Sequence, residues 1–394
     1  MKTIVDANGS KFHKLTRMKG DATTRSKRFQ VGSRCALIVL FVVQALILTL
    51  PGQPALAAGP RCYVKYDASG ANNGSSWTDA YTSLQSALGD AGCTEIWVAE
   101  GVYKPTTNPS DRGATFELKS NLALYGGFAG TESSIDERNI DAHPTVLSGD
   151  IDNNDSQTPV ITDITTVTGN TTNSEHVLNG SDVSNVTIDG FTITAGYSSP
   201  DMYATGGGIN FHSPYGTPLS LNLANLDISG NYAVYSGGGI YTDFTVTTMN
   251  NVAFNSNSAG EGGGGFYQAL SNIDGGTGEF QGGSPSSLTD VTFTGNIARL
   301  GGGAFDYLGD NAVYTHVQFI NNIAGSGLAQ GGGLLIQGME GGTGPTLNDV
   351  TFTGNQATWG GGLYLLESTG AVINDSVFSG NTATGYSSTA GWGG

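Results

Sequence analysis

Positive charge is nearly absent from most of this chain. Of its 16 Lys and Arg, nine lie between Met1 and Arg34, and beyond Arg138 only Arg299 stands against 21 Asp and Glu. From residue 58 onward seven bases face 31 acids, a formal charge near −24. A surface without basic clusters cannot displace the counterions around phosphates, so nucleic acid is excluded as a partner. The same field repels polyanionic sugars. Helix-favouring composition is thin as well: Gly fills 61 of 394 positions and charged side chains only 12 %, which points to an all-β protein. Cysteine is scarce, with three residues, of which Cys35 lies in the N-terminal leader. Cys62 and Cys93 then read as one disulfide closing a loop near the mature N-terminus, contributing roughly 2–4 kcal/mol. Two separate thiols are the alternative.

Long apolar runs are missing too, with one exception. CALIVLFVVQALILTL, Cys35 to Leu50, is short for a membrane span and is broken by Gln44. A basic segment precedes it and the small-x-small site Ala55-Leu56-Ala57 follows, the pattern of a signal peptide over 1–57 with cleavage before Ala58. An uncleaved anchor is the other reading, and Met18 is an alternative start. The mature chain is expected to be exported and to have no transmembrane span.

What the chain has in abundance is repetition. LTDVTFTGNIARLGGG, Leu288 to Gly303, recurs in six copies whose asparagines are Asn231, Asn257, Asn296, Asn322, Asn355 and Asn381. Their spacings are 26, 39, 26, 33 and 26, so one unit of about 26 residues carries loop insertions. The longest lies between Gly265 and Leu288. Phe254, Phe293, Phe319, Phe352 and Phe378 form a column, with Ile228 in the first copy. Two residues earlier stand Leu226, Val252, Val291, Val317 and Val350, the period-two alternation of a strand with one buried face; Ser376 breaks that column. Two residues after each Asn there is always Ala, and glycine triplets follow at 206–208, 237–239, 263–265, 301–303, 331–333 and 360–362. IDGFTITAG, from Ile188 to Gly196, fits the same frame as an earlier copy.

Strands this short must bury their faces against their neighbours. The solution is a solenoid whose turns pair in parallel about 4.8 Å apart. Phenylalanines then stack in the interior, each burial contributing of order 1.5–3 kcal/mol. The asparagines can form an amide ladder, and Asn also tolerates the left-handed corner. The predicted fold is all-β: a right-handed parallel β-helix, its hand following from the crossover rule and from the family resemblance given below, with a short N-terminal capping helix. SWTDAYTSLQSALGDAG places that helix at about Asp79 to Leu88, with Thr78 as N-cap and Gly89 as C-cap. Residues 58–120 are read as the cap and first strands, and 121–394 as the repeats. The chain stops at TAGWGG midway through an interval, so a longer protein is expected.

The pairing of F-x-x-N with Gly-rich steps resembles the polymorphic outer-membrane protein repeat. YVKYDASGANNGSSWTDAYTSLQSAL, EIWVAEGVYKPT, LALYGGFAGTE and PTVLSGDIDNND resemble the N-terminal part of large secreted bacterial proteins with pectin-lyase-like β-helices. The resemblance implies a secreted or surface-exposed passenger at the bacterial outer membrane, often adhesive. A departure is Gly-Gly-Gly where the family typically writes Gly-Gly-Ala.

Four groups of residues are candidate sites. In GDIDNNDS, Asp150, Asp152, Asn154 and Asp155 crowd oxygen ligands as a Ca²⁺ loop would, though Asp155 and Ile161 stand where an EF-hand needs Gly and Glu; an acidic solvated loop is the bland reading. Asn225, Asn251, Asp290, His316, Asp349 and Asp375 form a column that reads either as a cation-recruiting stack or as corner-forming turn residues. Tyr235 and Trp359, beside the glycine corner, could be a platform for a neutral glycan or a partner protein, or could cover the core. No catalytic residues can be assigned: acids are plentiful without a certified pair, and Arg299, His143, His176, His212 and His316 are scattered. The leading expectation is an adhesin-like or ligand-binding surface protein without catalysis and with no cofactor beyond Ca²⁺. Its partner would be a host or neighbouring cell-surface protein or a neutral glycan. The competing expectation is a polysaccharide lyase or glycoside hydrolase.

Overall fold

One turn of the chain shows how the repeat folds. Strand Thr245–Asn255 runs eleven residues with Met249, Val252 and Phe254 inward, bending at Asn251, whose φ is 53°. Two-residue strand Ser258–Ala259 follows, then the glycine corner, then strand Phe266–Ala269. Every one of these strands pairs in parallel with its equivalent in the turns before and after. Repetition gives three all-parallel sheets of 16, seven and eight strands among the described residues, which is a parallel β-helix. The computed structural model describes residues 60–199, 204–213, 219–269, 286–308, 311–325, 327–338 and 343–385. The leader with its cleavage site, residues 270–285 of the longest insertion and the final TAGWGG lie outside the described residues.

The predicted columns fall into register. Phe254, Phe293, Phe319, Phe352 and Phe378 are direct partners in adjacent turns, their rings stacked at 4.6, 4.8, 5.0 and 4.6 Å and within 10° of parallel. The first four are fully buried. The alanines after each Asn line the seven-stranded sheet, Ala233 on Ala259, Ala298 on Ala324 and Ala357 on Ala383.

The asparagines form the ladder. Nδ2 of Asn231 donates to Oδ1 of Asn257, Asn257 to Asn296, Asn296 to Asn322, Asn322 to Asn355 and Asn355 to Asn381, all at 2.9–3.0 Å. The same Oδ1 atoms accept the backbone N–H of the preceding turn's Asn, as Asn322 Oδ1 does from Asn296 N at 3.0 Å. Each Nδ2 also reaches a Phe-column carbonyl, Asn322 to Phe293 O at 2.9 Å. One amide therefore satisfies three groups in a corner that excludes water. The ladder residues do not take the left-handed conformation expected of them. The residue just before each one does: Gly230, Ser256, Gly295, Asn321, Gly354 and Gly380 have φ of 52–66°.

The glycine triplet serves two separate demands. Gly301 has a φ of 58°, and a Cβ on Gly302 would lie 2.5 Å from the carbonyl oxygen of Gly332 in the next turn. The first position needs left-handed backbone and the second needs an empty Cβ site.

The N-terminal helix is shorter than expected. It spans Leu84–Gly89, with Ser83 at the N-cap position, making no side-chain cap bond, and Asp90 at the C-cap. Residues 79–82 are drawn out of it. Tyr81 N–H donates to Tyr63 O and Tyr81 O accepts from Lys65 N, both at 2.9 Å, which adds Tyr81 to the edge of strand Arg61–Val64. Asp79 is occupied in accepting the N–H of Ala71 at 2.8 Å. Leu84, Ala87 and Leu88 remain buried, and the helix lies against Arg61–Val64 and Phe116–Glu117. Cys62 and Cys93 are joined, their Cα atoms 5.5 Å apart, tying the first strand to the segment after the helix.

Replacing Phe319 by Ala removes a ring from mid-stack and is expected to cost about 3–5 kcal/mol. Asn322→Ala strands two buried backbone groups and is expected to cost about 1–3 kcal/mol for each. Urea melts together with hydrogen exchange of the neighbouring turns measure both; unchanged protection around Phe293 and Phe352 would contradict the inward columns.

Candidate functional site

A groove of about 1040 Å³ lies along the outer side of the long sheet. Its floor is an outward row in register, Asp227, Ala253 and Thr292, and its edge is the corner column Asn225, Asn251 and Asp290. Its far wall is the excursion between strands Ala123–Phe128 and Thr145–Ser148, including Asp136, Arg138 and Asp141. Glu132 holds the base of that excursion, accepting the N–H groups of Ala129, Gly130 and Thr131 at 2.6–3.0 Å. Burial works to raise its carboxyl, but these bonds outweigh burial and keep it below the ordinary range.

Arg138 is the one basic side chain lining the groove, and it is committed. Its guanidinium donates to Asp189 Oδ2 at 2.6 Å and to Gly126 O at 3.3 Å. A polar chain continues from there: Asn225 Nδ2 to Asp189 Oδ1 and Asn251 Nδ2 to Asn225 Oδ1, both at 2.8 Å. Asp227 is half-buried; burial pushes its carboxyl up, against the opposing bond from Asn255 Nδ2 at 2.9 Å. Beyond the groove the corner column continues through His316, whose Nδ1 lies 3.3 Å from Asp290 and Nε2 3.6 Å from Asp349. All six column residues have φ between 49° and 54°. They are corner-forming residues, and Asn, Asp and His tolerate that backbone best.

The acidic loop is organised differently from the sequence expectation. Asp150 is drawn to Lys104, whose ammonium contacts the Asp150 carbonyl oxygen, lies 3.5 Å from its Oδ2 and donates to Asn153 Oδ1 at 2.7 Å. The oxygens of Asp150, Asp152 and Asp155 do not gather within 4.8 Å of one another; among the described residues the acids and sulfurs that do are Cys62, Asp90 and Cys93, of which both cysteines are disulfide-bonded. Asp155 is buried against Asn173, and burial, with Asp150 and Asp152 nearby, pushes its carboxyl up to about 6.

Tyr235 and Trp359 stand at the corner between the seven- and eight-stranded sheets, away from the groove. Three turns separate them, and they are one residue out of register: Ser236, Gly262, Leu300, Gln330 and Trp359 are the successive partners. Arg299 pairs with Glu261 at that corner. An aromatic stack near that corner is Tyr241 on Tyr267, parallel within 6° at 5.4 Å, with Phe305 edge-on to Tyr267 at 5.1 Å. These rings lie two residues after successive glycine triplets, an offset readable from the sequence.

A serine and a histidine also meet on the outer face of the eight-stranded sheet. Ser181 Oγ is 3.5 Å from His212 Nε2, and Asn210 Nδ2 is 3.4 Å from Nδ1. An amide donor at Nδ1 favours the tautomer with the imidazole proton on Nε2, in which the ring donates towards Ser181 instead of accepting its proton. A general base needs the opposite tautomer.

Residues 349–365 match the Chlamydia polymorphic membrane protein repeat. The match covers the turn from the corner residue Asp349 through Phe352, Asn355 and the triplet 360–362 into strand Leu363–Leu366. Over that one turn the chain is similar to this repeat. No curated protein matches the chain significantly. Among the described residues no helix is long and apolar enough to cross a membrane.

Asp243 provides a pH test of this outer surface. It lies on strand Ile240–Asp243 beside the Tyr241 ring, and burial pushes its carboxyl up to about 6. A carboxyl raised above its unfolded value stabilises fully below that value, near about 4, and the contribution is lost as pH rises through the folded value. Asp243→Asn cannot ionise, so relative to wild type it is expected to gain stability between about pH 4 and pH 7. Denaturant melts at the two pH values check this; the same difference at both would show that Asp243 is not desolvated.

Proposed function

We propose that this chain is an exported bacterial surface or secreted β-helix that binds a neutral glycan of a neighbouring or host cell in its groove, without turning it over. The repeat at residues 349–365 supports the surface location, since proteins named for it are membrane proteins of Chlamydia. The groove carries the binding reading. Its floor and edge offer amides, hydroxyls and carboxylates, which suit sugar hydroxyls, and its one base is spent on Asp189. Exposed Asp136, Asp141 and Asp290 repel an anionic polymer, and a lyase acting on one needs a free cationic base.

One observation favours a second reading, a glycoside hydrolase: Asp227 is a half-buried carboxyl with a raised pKa in the same groove as Asp290. The two readings part in a single experiment. Glycan arrays and cell-retention assays are run beside a degradation screen, with and without Ca²⁺, on the wild type and on Ala253→Trp. That substitution puts a β-favouring ring on the groove floor. Retention without product release, lost in Ala253→Trp while melting is unchanged, is the expected result. Product release abolished by Asp227→Asn would replace binding by hydrolysis, and retention unaffected by Ala253→Trp would move the site out of the groove.

A further inference from the structure

We propose that the long excursion between strands Thr145–Ser148 and Leu178–Ser181 holds one calcium ion, with Asp152, Asp155 and Asn173 as its side-chain ligands. Residues 149–177 contain no strand, and their only regular element is the 3-10 turn Asn170–Thr172. Structureless loops beyond about 12–15 residues are uncommon inside a compact fold unless something fastens them. Here the two arms of the excursion meet through acids held by neutral donors. Asp152 Oδ2 accepts from Asn154 Nδ2 at 2.8 Å and from Thr172 Oγ1 at 2.7 Å. Asp155 Oδ2 accepts from Asn173 Nδ2 at 2.8 Å.

Each of these contacts uses half of a group and leaves the other half buried. Asp152 Oδ1, Asp155 Oδ1 and Asn173 Oδ1 are all sealed from solvent with no donor, as is the neighbouring Ser174 Oγ. Asn173 is 0 % exposed and Asp155 7 %. The bond to Asp155 fixes the Asn173 amide, so its unpartnered oxygen lies at the edge of that carboxylate. The three oxygens are acceptors only and cannot satisfy one another. A buried acceptor left without a donor or a cation is strongly unfavourable, and here three lie close together in sequence and space.

The nearby protein cations are already placed. Lys104 is engaged with Asp150 and Asn153, and Arg112 donates to the carbonyl oxygens of Asn173 at 2.8 Å and Tyr197 at 2.7 Å. Two carboxylates neutralise one divalent ion, and Asp150, whose charge Lys104 balances, is not needed. An all-oxygen donor set selects hard cations, and irregular loop geometry favours Ca²⁺ over the strictly octahedral Mg²⁺. The ion would join the arm at 150–155 to the arm at 172–174, beneath the stretch where Ile161 O accepts from Ser229 Oγ at 2.8 Å on the coil.

Calorimetric titration of the chelator-treated full chain with CaCl₂, alongside thermal melts, tests this. One equivalent of Ca²⁺ is expected to bind and raise the melting temperature. Asp152→Asn and Asp155→Asn are each expected to weaken binding by about tenfold or more, since affinity follows ligand charge. Asp349→Asn, on the exposed corner column, is expected to leave it unchanged. Absence of binding at millimolar Ca²⁺ would mean that water satisfies these oxygens and would overturn the proposal. Equal affinity in both loop variants, or tighter binding of Mg²⁺ than of Ca²⁺, would overturn it as well. Should either variant fail to fold, hydrogen exchange of the wild type decides: Ca²⁺ must slow exchange within 150–174, and unchanged exchange there refutes the site.

Discussion

A single spacing governs this molecule, the distance at which one turn hydrogen-bonds to the next. Every turn must return its backbone to the same height, because a strand of two to four residues has no stable partner except its own copy above and below. The Asn ladder is the strictest form of that demand. At the corner after the Phe strand the backbone leaves the sheet, and its N–H and C=O groups would be buried without partners. One amide per turn supplies a donor and an acceptor at the repeat distance, which no shorter or longer side chain can do for a backbone group and a neighbouring amide at once. The Phe stack, the Ala column and the glycine corner are consequences: each is the residue that fits a position the ladder has already fixed.

That rigidity decides where variation can go. Insertions enter at corners, where the chain has left one strand and not yet begun the next. The excursions at 129–144 and 149–177 do so near the N-terminal end, and the first of them walls the groove. The variable surface is therefore built from side chains pointing away from the coil and from loops fastened to it by long-range bonds such as Arg138 to Asp189 and Trp77 Nε1 to Glu132 O at 2.9 Å. The core contributes position and takes no part in the chemistry. A surface this poor in cations also has little with which to neutralise its own carboxylates, so burying one pushes its pKa up, as at Asp155, Asp227 and Asp243.

The coil was legible because its signal is repeated. Six copies of one pattern pointed to the inward Phe column, the Ala column and the Asn ladder, each copy checking the others, whereas the left-handed position falls one residue before each ladder Asn. What repetition could not show lies where residues distant in the chain meet once. Nothing in GDIDNNDS reveals that Lys104 takes Asp150, or that Asn173 faces Asp155. Tyr235 and Trp359 fall out of register because the corner lies five residues after Asn231 and Asn257 but four after Asn296 and Asn355, a difference the repeat pattern alone does not show. The helix was overextended because Tyr81 has a strand edge available, which propensity does not see. Inward Asp306, accepting from Gln268 Nε2 and Tyr314 Oη at 3.3 Å each, also defied the apolar pattern.

The groove and the acidic excursion follow from the same geometry. A left-handed residue in mid-strand turns the sheet at the same place in successive copies, and three of these corner residues, Asn225, Asn251 and Asp290, line the groove. Stacked over several turns, those corners run along the coil as one edge of a trough, and the excursion at 129–144 walls its other side. The corner needs Asn, Asp or His for its backbone, so the trough is polar as a result of its own construction. In this chain the residues that make the coil turn are also those presented to whatever lies beside it, so the polar character of the outer surface follows from the repeat itself and from no single copy.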